Sequence, residues 1–233
     1  MDAHNLSQRL LTVAAHVGKG ARLADIGSDH AYLPAHLALI GKIDFAIAGE
    51  VVKGPYENAK HVISKEGLTS KVHARLADGL AAIEAQDQVD TITICGMGGP
   101  LIADILEQGQ EKLTNHPRLI LQPNVGESAV RQWLCDHNYH IETEEILSED
   151  KHTYEIIVAN YQDGAKLTLT DQELKYGPYL LKKQNQAFKD KWQANIAKLQ
   201  HVQAQLQKAK AVPIEKIAAL DAEIKEIEAV LHG

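Results

Sequence analysis

Short apolar runs alternate with helical patterns over the first two thirds of this chain. Five predicted strands are each followed by a predicted helix: Arg22–Ile26, Phe45–Gly49, Val72–Leu76, Asp90–Cys95 and Arg118–Gln122. Two more runs, 139–146 and 154–160, follow each other without a helix between them. Strands joined by helices lie parallel, whereas two successive strands form an antiparallel hairpin. The order therefore predicts an α/β fold with a seven-stranded, mostly parallel sheet and an antiparallel edge.

The composition changes near residue 163, and the rest of the chain has a helical pattern. From Trp192 to Ala209, and again from Ile217 to Leu231, mostly apolar residues recur at steps of three and four. This spacing is typical of a coiled coil, and Pro213 suits the first turn of the second helix. We therefore expect two domains: residues 1–163 with the sheet, and residues 164–233 with an antiparallel coiled-coil hairpin.

The composition argues against membrane, secreted and metal-binding proteins. No apolar run approaches the roughly 18–20 residues that cross a bilayer, and residues 1–9 lack the basic-then-apolar pattern of a signal peptide. Cys95 and Cys135 are the only cysteines, and the 12 histidines show no metal-ligand spacing. We expect a cytoplasmic protein with no membrane segment, no disulfide and no metal site.

The turn after the first predicted strand, DIGSDHA at residues 25–31, is the most informative motif. Glycine lets the backbone approach a ligand there, and the following helix begins beside it. A dinucleotide site usually has G-x-G-x-x-G and no acid at the strand end. An acid suits the cationic amino-acid end of S-adenosylmethionine (SAM), with Asp25 facing the amino group and four residues around it: Gly27, Ser28, Asp29 and His30. The alternative is that Asp29 only caps the next helix.

Acids also follow the next two predicted strands. Glu50, with Val51 beside it, ends the second strand, and an acid about 20 residues after the glycine turn can bind ribose hydroxyls. Asp78 and Gly79 follow the third strand, where a carboxylate can accept a hydrogen bond from an adenine amine. The alternatives are a surface acid and an ordinary Asp-Gly turn. Three acids at successive strand ends favour an adenosyl ligand, and with the strand order they predict a Rossmann-like class I methyltransferase fold.

Two more groups follow the fourth and fifth strands: Gly96, Met97 and Gly98, then Gln122, Pro123 and Asn124. The glycines open space where a methyl group and an incoming base would meet, and amide side chains can read a base edge. The alternatives are a plain glycine turn and helix caps. The chain lacks the Asn/Asp-Pro-Pro-aromatic segment common in enzymes that methylate the exocyclic N6 of adenine, which disfavours that reaction.

The charge is unevenly distributed along the chain. Residues 1–165 carry 13 lysines and arginines against 23 acids, whereas residues 166–210 carry nine lysines against three acids. A concentrated basic segment in an acidic protein can hold a polyanion. The same pattern also fits a solvated helix face, so charge alone does not decide between the two interpretations.

Six segments over about residues 6–160 form a specific combination: DIGSDHAYLP, GEVVKGPYENA, RLADGL, ICGMGGPLI, LILQPN and YEII. This combination resembles the bacterial tRNA (adenine-22-N1)-methyltransferase family, which a C-terminal coiled coil also fits. The resemblance implies a SAM-dependent enzyme that methylates N1 of an adenine in the D-arm of tRNA. It implies cofactor contacts at these positions: Asp25, Gly27, Ser28, Asp29, His30, Glu50, Asp78, Gly79, Gly96, Met97 and Gly98.

Such a reaction depends mainly on positioning, because N1 of adenine already has a lone pair. Asp29 is the leading candidate to accept a hydrogen bond from the N6 amine, with His30 and Asn124 behind it. Tyr32 could stack on the base. We expect tRNA phosphates to be held by five lysines: Lys182, Lys183, Lys189, Lys191 and Lys198.

Three other functions remain as alternatives. A SAM-dependent methyltransferase with another substrate shares every cofactor feature. A non-catalytic RNA-binding protein on the same fold would have no need of three acids at strand ends. A nicotinamide oxidoreductase is disfavoured, since the glycine fingerprint is missing. The oligomeric state is open, with a monomer favoured.

Overall fold

The structure, a computed structural model, describes residues 1–164, 168–208 and 213–232. Two of the nine lysines of the basic segment, Lys166 and Lys210, and Ala209 of the coiled-coil pattern lie outside the described residues. Within the described ranges, no helix combines the length and the apolar character needed to cross a bilayer.

A seven-stranded sheet with the order β3-β2-β1-β4-β5-β7-β6 forms the centre of the molecule. Its strands are β1 Arg22–Ile26, β2 Phe45–Glu50, β3 Val72–Leu76, β4 Thr91–Gly98, β5 Arg118–Val125, β6 Tyr139–Glu149 and β7 His152–Tyr161. Strands β1 to β5 pair in parallel, and β7 lies antiparallel between β5 and β6. The predicted sheet and its antiparallel edge are therefore confirmed.

Helices cover both faces of the sheet. The first five are α1 Gln8–His16, α2 Tyr32–Leu39, α3 Lys53–Lys65, α4 Gly99–Gln108 and α5 Glu127–Asp136. On one face, α1, α2 and α3 bury a cluster that includes Val13, Leu37 and Ile63. On the other, α4 and α5 bury a cluster that includes Ile102 and Leu134. Because the strands are covered on both faces, their carboxyl ends form the exposed edge at which a ligand can bind.

Strands β4 and β5 extend three residues beyond their predicted ends, through the glycine-rich segment. Their pairing shifts register on both sides of Met97, and Gly96 has φ +78°. A bulge of this kind keeps the two strands paired while it bends them. The predicted helix near residues 80–85 is instead two 3₁₀ turns, Gly79–Ala82 and Ala85–Asp87.

The C-terminal helices form an antiparallel hairpin. They are α6 Asp171–Tyr176, α7 Leu180–Lys183, α8 Gln186–Leu206 and α9 Ile214–His232. Gln184 donates a hydrogen bond to the carbonyl of Val230, and Gln203 donates one to Asp221. From Gln184, just before α8, to Gln203 near its end, the partner in α9 moves from Val230 back to Asp221, so the two long helices run in opposite directions. Phe188 and Trp192 of α8 and Ile227 of α9 are buried together with Ile146 of β6. Val202, which belongs to the predicted coiled-coil pattern, is exposed.

A buried ionic network joins the hairpin to the sheet. Arg131 of α5 is fully buried and donates hydrogen bonds to Glu144 at 2.7 Å and to Glu155 at 2.6 Å. Lys191 of α8 pairs with Glu155 at 2.7 Å and with Glu127 at 2.5 Å. We call these five residues the junction network. Although burial opposes it, the carboxylates of Glu155 and Glu144 raise the pKa of Arg131. Burial raises the pKa of Glu144, and the charge of Arg131 opposes this shift. The hydrogen bonds of Arg131 therefore offset part of the cost of burying these carboxylates.

The segment before α7 contacts the junction network through its backbone. Arg131 also donates to the carbonyl of Leu174 at 3.0 Å, and Glu144 accepts the N–H of Tyr179 at 2.9 Å. Gly177 has φ +88°, and a Cβ there would lie 2.6 Å from a Glu144 oxygen and 2.7 Å from Arg131 Nη2. Only glycine lets the chain pass this close, so the hairpin is fixed to the edge of the sheet at β6 and β7.

Candidate functional site

A crevice of about 380 Å³ opens at the carboxyl ends of β1, β4 and β5. This volume lies in the range of small-molecule sites. Six of the predicted cofactor residues line the crevice: Asp25, Gly27, Ser28, Asp29, Gly96 and Met97. Asn124 lies on the same wall. The structure therefore brings together three segments that are far apart in the sequence.

The glycine turn of β1 leaves no room for a side chain. Gly27 has φ +68°, and a Cβ there would lie 2.0 Å from the terminal methyl of Met97. The run that begins two residues further on also has positive φ: 41° at Asp29, 71° at His30 and 59° at Ala31. Left-handed backbone costs a non-glycine residue roughly 1–2 kcal/mol, and such strain tends to be retained at functional sites. The turn is thus shaped at a conformational cost.

Asp29 does not cap the following helix, so that alternative interpretation is wrong. Helix α2 begins at Tyr32, and its capping position is Ala31, with no side-chain hydrogen bond. Asp29 instead donates its backbone N–H to Glu50 at 2.5 Å, and its side chain is 75% exposed toward the crevice mouth. The ring of His30 stacks on that of Tyr32 with centroids 5.2 Å apart.

Asp25 is a buried carboxylate in a polar cradle. One oxygen accepts a hydrogen bond from Ser28 Oγ at 2.5 Å, and the other accepts one from Thr93 Oγ1 at 2.6 Å. Burial raises the pKa of Asp25, although these hydrogen bonds and the charge of Arg9 oppose the shift. A cationic ligand in the crevice would stabilise the ionised form. Thr93 was not predicted, and its position opposite Asp25 follows from the parallel register of β1 and β4.

Glu50 is buried at the end of β2 and is not a surface acid. Burial raises its pKa, against the effect of the hydrogen bond from the Asp29 backbone. Val51 beside it is 63% exposed, which leaves an apolar side chain open at the edge of the sheet. Glu50 and the glycine turn are therefore linked directly, whereas the contact of Glu50 with ribose hydroxyls stays a prediction.

Asp78 and Gly79 lie outside the crevice, in a second cavity of about 200 Å³ beside α4. A Cβ on Gly79 would approach Ile105 of α4 to 3.2 Å. The strand order β3-β2-β1-β4 places this cavity further along the same edge. Eight of the twelve predicted cofactor residues thus line one of these two cavities. Glu50 lies on the strand between them, and His30, Val51 and Gly98 line neither of the two.

Gln122 and Pro123 are both buried, which argues against the predicted contact of this pair with a base. The Gln122 side-chain oxygen accepts hydrogen bonds from Arg9 at 2.6 Å and from the Gly96 N–H at 3.1 Å. Its amide nitrogen donates to the Pro123 carbonyl and to Asn124. Gln122 therefore holds the β4 bulge in place. Asn124 is exposed and donates to the Gly96 carbonyl at 2.8 Å.

Arg9 and Tyr154 also line the crevice, and neither was predicted. The Arg9 guanidinium carbon lies 5.3 Å from the centroid of the Tyr154 ring. Arg9 precedes Leu10 in the apolar pattern of α1, but that pattern does not reveal which part of the sheet the helix covers. For Tyr154 the sequence predicts only that a strand begins there.

The five predicted phosphate-binding lysines fall into different environments. Lys182 and Lys198 are exposed and Lys189 is half-buried. Lys183 donates to the carbonyl of Glu144 at 3.1 Å. Lys191 belongs to the junction network, and although burial opposes it, Glu155 and Glu127 raise its pKa. Its charge is neutralised inside the protein, so the structure argues against a phosphate contact at Lys191.

Comparisons with known proteins agree with this geometry. The family model described as tRNA (adenine(22)-N(1))-methyltransferase matches residues 23–229. The enzyme of that name from Bacillus subtilis is 43% identical over 90% of this chain and 89% of its own length. A Streptococcus pneumoniae structure, described as a putative tRNA (m1A22) methyltransferase in complex with SAM, is 45% identical and has a TM-score of 0.89. It covers 98% of this chain and 100% of that chain.

A more distant structure shows the same architecture. TrmK of Mycoplasma capricolum, in complex with the cofactor product S-adenosylhomocysteine (SAH), is 29% identical, with a TM-score of 0.84 and 98% of both chains covered. The likeness therefore extends through the C-terminal helices as well as the sheet. The extent of the matched family model and the identity to the B. subtilis enzyme show that this chain belongs to the tRNA (adenine(22)-N(1))-methyltransferase family.

Proposed function

We propose that this protein transfers a methyl group from SAM to N1 of adenine 22 in tRNA. The observation that carries the proposal is the buried carboxylate of Asp25 beside the bare backbone of Gly27, at the end of β1. A buried carboxylate of this kind suits a cationic group and disfavours a pyrophosphate beside it. The relatives whose names and titles specify this reaction support the substrate.

The residues present fit the cofactor along the whole edge of the sheet. Asp25 would accept a hydrogen bond from the amino group of the methionine end, and Glu50 would bind the ribose hydroxyls. Asp78, in the neighbouring cavity, would accept from the adenine amine while Val51 covers the ring. Bound SAM supplies an electrophilic methyl group on a sulfonium. The protein has to hold the incoming base in line with it.

We assign four residues to the incoming base. The exposed carboxylate of Asp29 would accept a hydrogen bond from the N6 amine and stabilise the positive charge that develops on the ring. Asn124 on the crevice wall and His30 in the turn after β1 are weaker candidates, and Tyr32, stacked on His30, extends an aromatic surface for the base. N1 is blocked in a paired base, so the target must be unpaired or flipped out at a cost of a few kcal/mol.

Nucleoside analysis of the product tests this function. Incubation of unmodified tRNA with SAM should give 1-methyladenosine, detected by mass spectrometry after digestion, and a tRNA with guanine at position 22 should give none. In the same assay Asp29→Asn should slow methyl transfer at saturating SAM and tRNA, since the amide is a weaker acceptor. Methylation of the substituted tRNA would point to another target. A rate for Asp29→Asn within a factor of about two of wild type would remove Asp29 from the chemistry.

We also propose that Lys182, Lys189 and Lys198 of the C-terminal helices, none of which is buried, bind tRNA phosphates. Replacing Lys182, Lys189 and Lys198 by glutamine should weaken tRNA binding and flatten the plot of log affinity against log salt. Each lost phosphate contact removes about 0.7–0.9 from that slope, so the triple variant should lose about 2 to 3. Filter binding over a salt series measures both quantities.

A matched triple variant controls for the loss of charge. Lys19, Lys60 and Lys65 are exposed and lie away from the hairpin, Lys19 beside the amino end of β1 and the other two on α3. Their replacement by glutamine should leave the salt slope unchanged. Equal effects of the two triple variants would mean that the hairpin is not the tRNA-binding surface.

The proposed substrate and the packing of the hairpin indicate where the protein acts and in which oligomeric state. We place it in the cytoplasm, because its proposed substrate is tRNA. We also propose that it acts as a monomer, since the hairpin buries its apolar side chains Trp192 and Ile227 against its own chain. Residues 164–233 would then serve as the tRNA-binding domain and residues 1–163 as the catalytic domain.

A further inference from the structure

Two large apolar side chains are exposed at the adjoining ends of β5 and α4, beside the crevice. Val125, the last residue of β5, is 66% exposed, and Leu101, in the first turn of α4, is 52% exposed. Val125 directly follows Asn124 of the crevice wall. Its partner in β4 is Gly98, which has no side chain to cover it. Single exposed apolar residues are common on protein surfaces, so exposure alone assigns no role to Val125 and Leu101.

The two segments that carry these side chains are packed directly against each other. A Cβ on Gly99 would overlap the carbonyl of Gly126, and a Cβ on Gly126 would lie 2.9 Å from Cδ of Pro100. The pairing of β4 with β5 continues as far as Gly98 and Val125. The branched Cβ of valine also restricts its χ1 angle. The backbone therefore presents Val125 on a rigid support, and ordering this side chain against a ligand costs little conformational entropy.

Val125 lies between the crevice and the point at which the hairpin is attached. Two residues after it, Glu127 accepts a hydrogen bond from Lys191 of α8 at 2.5 Å. Glu127 is the sole acid in residues 122–128, and Lys191 compensates its charge. This part of the surface therefore does not repel a polyanion. An RNA that contacts the hairpin lysines and places an adenine in the crevice would pass over Val125.

We propose that Val125 and Leu101 fill the gap that the target adenine leaves in the RNA, where they pack against the base that faced it. This inference rests on the proposed function. A stacked adenine has to leave its stack before its N1 can enter the crevice, and this step costs free energy. The vacated gap exposes the apolar faces of the remaining bases, and aliphatic side chains inserted between bases stabilise such gaps. A protein partner is the other occupant that an apolar surface could have, but the crevice and the hairpin on either side favour RNA.

A tRNA in which the target base is already loosened separates this role from general binding. One substrate is the native tRNA, and the other, ligated from synthetic halves, has an abasic sugar opposite adenine 22. The double variant Val125→Ala, Leu101→Ala should reduce kcat/KM about tenfold or more on the native tRNA. On the abasic tRNA its kcat/KM should stay within about threefold of wild type, because the opposing base is absent and the adenine leaves its stack more easily.

The fluorescence of 2-aminopurine at position 22 reports the same step without methyl transfer, because this base brightens when it is unstacked. At saturating enzyme with SAH bound, wild type should raise the fluorescence of the tRNA, and the double variant should give less than about half of that rise. Calorimetric titration with SAH should give the same affinity for both proteins, which shows that the crevice itself is intact.

Ile40→Ala provides the control, because Ile40 is a similarly exposed apolar residue at the end of α2 that does not line the crevice. It should behave as wild type on both tRNAs. Equal losses of the double variant on the two tRNAs would mean that Val125 and Leu101 only add binding surface, and would overturn the proposal. Unchanged activity on both would also overturn it, and would leave this surface to a protein partner. If wild type methylates neither tRNA, the proposed function itself fails, and this inference fails with it.

Discussion

Gly27→Ala is expected to reduce the affinity for SAH by at least about a hundredfold. The new Cβ would overlap the terminal methyl of Met97, so Met97 must move within the crevice that the ligand needs. Even with Met97 displaced, the Cβ stands where the ligand must approach the backbone. The backbone at φ +68° also becomes strained, which costs about 1 kcal/mol. Isothermal titration with SAH measures the loss.

Gly67→Ala separates backbone strain from the loss of space. Gly67 has φ +69°, and a Cβ there meets nothing within 4 Å. This variant should lose a similar amount of stability and bind SAH as wild type does. If Gly27→Ala kept its affinity within about threefold, the cofactor would not lie against the turn of β1, and the assignment of Asp25 would have to be abandoned.

Arg131→Met is expected to lower the free energy of unfolding by about 3–5 kcal/mol, because it leaves Glu144 and Glu155 buried beside each other without their shared cation. Both carboxylates are almost completely inaccessible to solvent. Lys191 still reaches Glu155, but Glu144 loses its ionic partner. Urea denaturation followed by circular dichroism measures the change. The midpoint concentrations of urea are compared between proteins whose unfolding free energy depends on urea concentration with the same slope.

Arg118→Met is the matched control for this substitution. Arg118 pairs with Glu142 at 2.5 Å, but half of the Glu142 side chain is exposed. Exposed pairs contribute at most about 1 kcal/mol, so this variant should be much closer to wild type. Comparable losses in the two variants would show that the junction network is no more important than a surface ion pair.

The fold was predictable because its signals are local. Each parallel strand is a short apolar run that ends in a turn, and the bounds of β1 and β3 agree with the predicted ones. Since parallel strands expose their carboxyl ends at one edge, the motifs at Asp25, Glu50 and Gly96 could be placed near each other before any coordinates were known. The bulge in β4 was missed, because glycines that usually end a strand here remain paired with β5.

The parts of the site that were not predicted depend on contacts between distant segments. The sequence predicted that the Gln122 amide is available to a base, but its oxygen accepts hydrogen bonds from Arg9 and from the Gly96 N–H. Lys191 belongs to a basic run, yet its partner Glu127 lies 64 residues away on α5. No local pattern records such a pairing. The sequence of α1 likewise predicts a helix without indicating that Arg9 reaches into the crevice.

The ionic anchoring of the hairpin has a consequence for substrate choice. Helix α8 has 21 residues, so it is roughly 30 Å long at 1.5 Å per residue, and its base cannot swivel against the sheet without separating buried charges. If its lysines bind an RNA backbone, the distance between these lysines and the methyl-transfer crevice stays constant. An RNA would then be selected first by the spacing between its backbone and its target base, and only afterwards by the identity of that base.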